Sequence, residues 1–249
     1  MKNIKNVLLV GGILFSTLLL GQTNNIELGI EGGGSMVSLR GDGFLADENV
    51  NDIGFATGFS MLYHFNDHFS LKTNLFYERK GNKIEYFYNE LPYDDLVEIY
   101  IKDELETKHQ LDYLTLPVLA RYSFGKQKNF FVNAGGYVGV LLKSAVISHN
   151  VPKHGRYESD ITRRLSRMDF GLSTGIGGQI NISNNLIMSM ELRSNFGLQN
   201  IGKDDSENYN ESNGMLIIKK DGLSTNATSL LLGVSYRLSK STKNDETLD

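Results

Sequence analysis

The sequence predicts an all-β fold, an eight-stranded antiparallel up-and-down barrel that crosses a membrane with its strands. Three observations predict it. Alternating segments recur eight times along the chain. The connections between them are short and long by turns. After the N-terminal leader no segment is apolar enough to cross a bilayer as a helix, so any span must be β.

The leader, MKNIKNVLLVGGILFSTLLLGQ, sets Lys2 and Lys5 before a largely apolar run from Val7 to Leu20, then small Gly21 before polar Gln22. That order is expected of a cleaved secretory signal over residues 1–21. A membrane anchor is the competing reading, but the run contains Gly11 and Gly12 and is short for the roughly 20 residues a spanning helix needs. Taking Lys2 and Lys5 from 25 basic residues leaves 23 against 29 acids, a mature charge of −6. Cysteine is absent, which excludes disulfides, thiolate metal sites, cysteine nucleophiles and a lipidated N-terminal cysteine.

The predicted strands lie near 26–38, 53–65, 69–79, 111–124, 130–143, 168–181, 186–197 and 229–239, within a barrel domain over 22–239 that a polar tail, 240–249, follows. In the second, Ile53, Phe55, Thr57, Phe59, Met61, Tyr63 and Phe65 share a face opposite mostly small residues. Asn66-Asp67, Gly125 to Asn129 and Ser183 to Asn185 have the composition of tight turns. Leu39 to Asp52, Lys80 to Gln110, Ser144 to Arg167 and Leu198 to Thr228 are long. In an up-and-down barrel this rhythm puts all the long loops at one rim, as in outer-membrane barrels.

The stretch DFGLSTGIGGQI, Asp169 to Ile180, keeps Phe170, Leu172, Thr174, Ile176 and Ile180 on one face and sets Gly171, Gly175 and Gly177 on the other. Glycine weakens a strand, so a glycine-rich face signals crowding. A soluble barrel of lipocalin type competes here, because alternation alone does not say which face points inward. The second face decides: it collects Glu27, Glu31, Lys72, Asn74, Glu78, Asp112, Arg121, Asn133, Asp169, Gln179, Glu191, Arg193 and Arg237 among the glycines. An eight-stranded barrel is just wide enough inside for side chains, so small residues must alternate with long charged ones. Asp112 and Arg121 differ in parity, so placing both inside requires a bulge, expected at Pro117. Tyr63, Phe65, Phe69, Tyr122, Phe124, Phe130 and Tyr236 cluster at the short-turn ends, as an interfacial girdle does.

At HQLDYLTLPVLARYSFG (His109 to Gly125), FFVNAGGYVGVLL (Phe130 to Leu142), DFGLSTGIGGQI and SLLLGVSYRLS (Ser229 to Ser239), the chain resembles the PorT-like outer-membrane β-barrel family of Bacteroidetes-type bacteria. The resemblance covers most of 22–239 and implies an outer-membrane barrel. The family's name-giving member is associated with protein export by a Bacteroidetes-specific secretion system, while many relatives have no assigned role, so the resemblance points to a secretion or envelope partner without implying one function. One departure concerns assembly: such barrels often end on an aromatic residue, whereas KSTKNDETLD follows the last strand, leaving Tyr236 as the substitute.

Arg121, Arg193, Arg237 and Lys72 are expected to oppose Glu78, Asp112, Asp169 and Glu191 in the lumen, because a buried charge must be paired. A structural plug is the bland reading of this network and a proton or solute path the sharper one; the narrow lumen favours the plug. Lys80 to Gln110 brings Tyr86, Phe87, Tyr88, Tyr93 and Tyr100 with eight acids against four lysines. Ser144 to Arg167 brings Lys153, Arg156, Arg163, Arg164 and Arg167 against Glu158 and Asp160. These two segments either pack on each other or offer an aromatic docking patch and arginines for lipid phosphates.

Gly171-Leu172-Ser173-Thr174-Gly175 matches a hydrolase nucleophile elbow, yet that motif works on a strained strand-to-helix turn and here falls inside a strand. His149 and His154 lack a third ligand at metal-site spacing. The acidic mature chain argues against nucleic acid. The expectation is a barrel without cofactor or enzymatic activity, in contact with outer-membrane lipid and lipopolysaccharide. It either supports protein secretion or envelope assembly, or binds at the cell surface through its loops. A lipid-modifying enzyme is a third class that no residue spacing supports.

Overall fold

The computed structural model describes residues 25–41, 49–90, 101–151, 155–202 and 223–238. Its strands are β1 (Ile26–Arg40), β2 (Asn49–Val50), β3 (Asp52–His64), β4 (Phe69–Glu90), β5 (Ile101–Phe124), β6 (Phe130–Val151), β7 (Gly155–Asp160), β8 (Met168–Asn181), β9 (Leu186–Gly197) and β10 (Ser224–Arg237). A 3-10 turn, Thr162–Arg164, sits between β7 and β8. The eight long strands pair in the circular order β4-β3-β1-β10-β9-β8-β6-β5 and close through β5 onto β4. Every ladder is antiparallel, and the first strand joins the last from Glu27↔Arg237 to Arg40↔Ser224.

Alternation sets which side chains face the lumen. On β8, Asp169, Gly171 and Ser173 are buried while Phe170, Leu172 and Ile176 are exposed. The glycines on that inner face answer to crowding: a Cβ on Gly175 would run into the Glu191 carboxylate, and one on Gly177 into the Phe131 ring. A Cβ on Gly171 would lie 2.8 Å from the Tyr137 ring. Large lumen side chains thus occupy the volume that the glycines leave.

Two expectations are corrected by the ladder of β4 and β5. Lys80 to Gln110 was expected as a loop, but both strands continue in one unbroken register, from Phe69↔Tyr122 through Lys80↔Leu111 to Glu90↔Ile101. Pro117 interrupts that ladder without shifting it, and the Thr73 hydroxyl donates to the Pro117 carbonyl at 2.8 Å. A proline removes one donor, and here that is all it does. The register shift lies instead between β5 and β6 at Asp112/Tyr113, where Leu142 becomes the extra residue.

Above the rim β4, β5 and β6 carry on as a projecting sheet. Its flanks are β2, paired with β4 at Ile84 and Lys83, and β7, paired with β6 from Ala145 to Val151. The eleven residues that β4 adds beyond Arg79 amount to about 36 Å of extended chain. At the opposite end Phe65, Phe69, Tyr122, Phe124, Phe130 and Tyr236 are all exposed on the outer wall. Neighbouring rings meet there at 5.0 Å for Phe69 and Tyr122 and 6.0 Å for Phe124 and Phe130, forming an aromatic arc across β4, β5 and β6.

Candidate functional site

Among the described residues the lumen holds the densest polar chemistry. Lys72 on β4 reaches Glu31 on β1 at 2.7 Å and Glu191 on β9 at 2.8 Å. Arg193 Nε and Nη2 donate to the two oxygens of Glu191 at 2.7 and 2.8 Å, and Arg193 Nη1 donates to Asn74 at 3.0 Å. Asn74 in turn donates to Glu31 at 3.1 Å. β4 and β9 lie four places apart in a ring of eight, so the Lys72–Glu191 pair braces opposite walls.

Nearer the long-loop rim a second cluster centres on Asp169. Its Oδ2 accepts from Lys80 at 3.0 Å, from the Thr225 hydroxyl at 2.8 Å and from the Tyr137 hydroxyl at 3.3 Å. Lys80 also stands over the Tyr137 ring at 4.4 Å, and Glu78 is 3.8 Å from its ammonium. At the short-turn end Arg121 stacks over Phe131 at 3.5 Å and donates to Gln179, while Glu27 lies 3.2 Å from His64 and 3.4 Å from Arg237.

Inward cations and acids therefore balance among the described residues: Lys72, Lys80, Arg121, Arg193 and Arg237 against Glu27, Glu31, Glu78, Asp169 and Glu191. Desolvated charges tolerate such a site when each has an opposite neighbour and further hydrogen bonds. Above the balanced layer Leu39, Leu111, Tyr113, Leu141, Leu165, Ile201 and Leu223 form one buried apolar cluster. Leu165 and Ile201 come from the connections rather than the wall, and the Ser166 N–H donates to the Ile201 carbonyl at 2.7 Å. They make a lid over the charged lumen, so the arrangement braces the wall and closes its mouth.

The structure brings Lys72, Glu191 and Arg193 into one cluster and Glu78 and Asp169 into another, with Arg121 and Arg237 at the short-turn end. Asp112 is a correction. It faces outward, where Arg79 grips both its oxygens at 2.7 and 3.1 Å, because β5 keeps one parity from Asp112 to Phe124 and only odd positions point in. Lys80, Glu27 and Glu31 take part in the lumen pairing although the expected network omitted them. Lys80 extends the parity of Lys72, Asn74 and Glu78, a signal visible once the strand is allowed to run on.

Of the loop candidates, Tyr86, Phe87 and Tyr88 lie in β4 opposite Leu105, Glu104 and Asp103. Tyr93, Tyr100, Lys153 and His154 fall outside the described residues. Arg156 is exposed on β7, 3.3 Å from Glu158, and Arg163 and Arg164 sit in the 3-10 turn at the rim. His149 lies in β6 opposite Glu106, and Ser173 is buried in the middle of β8. His109 is buried beside Asn82, its cross-strand partner, and burial alone pushes its imidazole down from 6.5 to about 4.

No protein of curated function matches the chain. Solved structures similar to it include the attachment invasion locus protein Ail of Yersinia pestis, at 13% identity over 85% of this chain and 98% of that one, with a TM-score of 0.37. The neisserial surface protein A is similar at 15% identity over 84% and 96%, with a TM-score of 0.41. The outer membrane protease OmpT of Escherichia coli is similar at 11% identity over 86% and 97%, also with a TM-score of 0.41. Residues 20–203 match the family model for the outer membrane protein beta-barrel domain, so the chain belongs to that family and is a β-barrel protein of the bacterial outer membrane.

Proposed function

We propose that this protein is a non-enzymatic partner-binding barrel whose working surface is the sheet projecting above the outer rim. The observation that carries the reading is the contrast between a lumen filled by paired charges under an apolar lid and a wall that continues outward as β4, β5 and β6. A filled, lidded lumen disfavours a solute path. A projecting sheet offers unpaired strand edges and side-chain rows, which suit recognition of a protein by strand addition or face packing. The resemblance to the PorT-like family supports a partner drawn from protein-secretion or envelope-assembly machinery, reached after export directed by residues 1–21.

The test is cross-linking in intact envelopes with tagged protein, comparing the full chain with a variant in which residues 84–107 are replaced by Asn-Gly. Secretion or assembly proteins are expected with the full chain and not with the shortened one, while both keep the heat-dependent gel mobility of a folded barrel. Recovery of the barrel alone, or of the same partners with both forms, would overturn the reading. An unchanged exported proteome after loss of the gene would remove the secretion part and leave a surface-binding barrel.

A further inference from the structure

The lumen charges balance as a whole but not layer by layer. In the middle layer Lys72 and Arg193 face Glu31 and Glu191, and each of these four groups has an opposite charge at 2.7 or 2.8 Å or, for Arg193 and Glu31, a second one at 3.7 Å. At the lid side two carboxylates share one ammonium: Lys80 lies 3.0 Å from Asp169 and 3.8 Å from Glu78. The opposite excess sits at the short-turn end, where Arg121 and Arg237 stand with Glu27. Arg121 is six residues below Thr115 on β5, about 20 Å of strand, with the paired middle layer between. The lid-side layer therefore keeps one unit of negative charge.

Buried oxygens without a hydrogen-bond partner converge on that same layer. Glu78 Oε2, Asp169 Oδ1, Asn195 Oδ1 and the hydroxyls of Tyr113 and Thr115 are all in this state among the described residues, and none of the five residues is more than 8% exposed. The ladders bring them together. Glu78 pairs with Tyr113 across β4 and β5, and Thr115 and Asp169 flank Gly139 from the strands on either side of it. A Cβ on Gly139 would come 3.2 Å from Thr115 Cγ2, 3.3 Å from the Tyr113 ring and 3.7 Å from Asp169 Cβ, so glycine leaves these side chains a shared space. Asn195 reaches it from β9, its amide donating to Glu78 Oε1 at 3.2 Å.

Two carboxylates, an amide carbonyl and two hydroxyls make an all-oxygen donor set, which suits a hard cation rather than a zinc- or copper-like one. Water would satisfy the lone pairs but leave the buried charge uncompensated. A divalent ion would overshoot and leave a positive charge in its place. Asp169 Oδ2 is already taken by Lys80, Thr225 and Tyr137, which leaves Oδ1 for a further ligand. We propose that the lid-side layer of the lumen is a binding site for an alkali cation, held by Glu78 Oε2 and Asp169 Oδ1 with Asn195 Oδ1 and the Thr115 hydroxyl. Leu165, Ile201 and Leu223 close the mouth above it, so a bound ion exchanges slowly.

The test refolds the full chain into neutral detergent in sodium, potassium or choline chloride of equal ionic strength, then measures the urea midpoint and the sodium-22 that stays with the barrel through gel filtration. Sodium or potassium is expected to raise the midpoint with the logarithm of its concentration, while choline, too large to be coordinated, is not. Glu78→Gln keeps the side-chain shape and removes the surplus charge, so it is expected to lose both the alkali dependence and the retained label. Thr115→Val keeps every charge and removes one ligand; it is expected to need about tenfold more salt for the same rise, and serves if Glu78→Gln fails to fold. Equal midpoints in alkali and choline salts, or an alkali dependence unchanged in both variants, overturn the proposal. So does a midpoint that follows pH but not alkali, which would put a proton on Glu78 in place of an ion, and so does a rise with calcium alone. Neither variant touches the sheet above the rim, so this result stands apart from the partner-capture experiment.

Discussion

The outer face of the same two strands changes character at one residue pair. Below Arg79 and Asp112, β4 and β5 point Lys72, Asn74, Glu78 and Arg121 inward and leave Leu75, Leu116, Val118 and Tyr122 exposed. Above the pair they bury Lys80, Asn82, Ile84, His109 and Leu111 and turn Lys83, Lys108 and Gln110 outward, so the inner face stays mixed and the outer face turns polar. The ladder does not shift, so backbone geometry cannot explain the change. Its cause is the solvent: lipid rewards an apolar outer face, while water above the rim rewards a polar one. The Arg79–Asp112 pair therefore marks the outer membrane boundary, and regions on its two sides should fail in different ways.

The largest effect is expected inside the membrane. Glu191→Leu leaves Lys72 and Arg193 facing each other across the lumen, with Glu31 as their remaining carboxylate. Breaking a buried pair from one side costs about 3–5 kcal/mol. Urea unfolding in lipid vesicles should show a loss of that size, and a change below about 1 kcal/mol would mean that the network braces nothing.

The lid is expected to yield less. Leu165→Ala removes a fully buried side chain from a cluster that water-exposed connections help to build, at a cost of about 2–4 kcal/mol. Because the charged layer lies beneath, this variant should remain silent in planar-bilayer conductance while its unfolding midpoint falls. Ion currents in the variant would show that the lid alone closes the barrel and would weaken the contrast drawn between the two layers.

Above the boundary, acid is the selective probe. His109 has a folded value of about 4 against 6.5 when solvated, so the folded state prefers the neutral ring. The sign follows: this contribution is complete above about pH 6.5, shrinks as the pH falls, and is gone below about pH 4. By pH 5 the loss should reach roughly 2 kcal/mol. Amide protection factors in the β4–β5 extension, taken relative to the intrinsic exchange rate at each pH, should fall between pH 7 and pH 5 while those of the membrane-level strands hold. His109→Phe should remove most of that dependence, and an equal fall in both forms would assign the acid sensitivity elsewhere.

What could be read from the sequence follows the same division. The eight membrane strands were legible because one solvent acts along each of them, so period two survives: β8 and β9 lie at Met168–Asn181 and Leu186–Gly197, where alternation places them. The extensions of β4 and β5 were not legible, because the outer face turns polar at Arg79 and Asp112 while Lys80, Asn82 and His109 keep the inner face polar, so alternation fades and the acids beyond look like loop. That one misreading moved two site residues. Lys80 was lost to the supposed loop, and Asp112 was drawn into the lumen by a bulge at Pro117 that the Thr73 hydroxyl makes unnecessary. Glu27 and Glu31 carried the correct parity throughout, but their partners sit on β3, β4, β9 and β10, and only barrel closure brings those strands together. The lid was invisible for a related reason: Leu165, Ile201 and Leu223 belong to connections with no repeating pattern.

The smallest effect belongs to the boundary pair itself. Arg79 and Asp112 are hydrogen-bonded through two N–H donors, but Arg79 is about a third exposed and water competes for both groups. A double-mutant cycle of Arg79→Gln and Asp112→Asn should return about 0.2–1 kcal/mol, shrinking further in high salt. The informative quantity is position rather than size. If the pair lies at the interface, Arg79→Leu should be nearly neutral in stability and extend the lipid-facing belt by one row, displacing a spin label at Lys83 toward the membrane surface. If the pair lies in open water above the membrane, the label should not move, and the change in the outer face of β4 and β5 would then begin below the interface, at Tyr77 and Leu114.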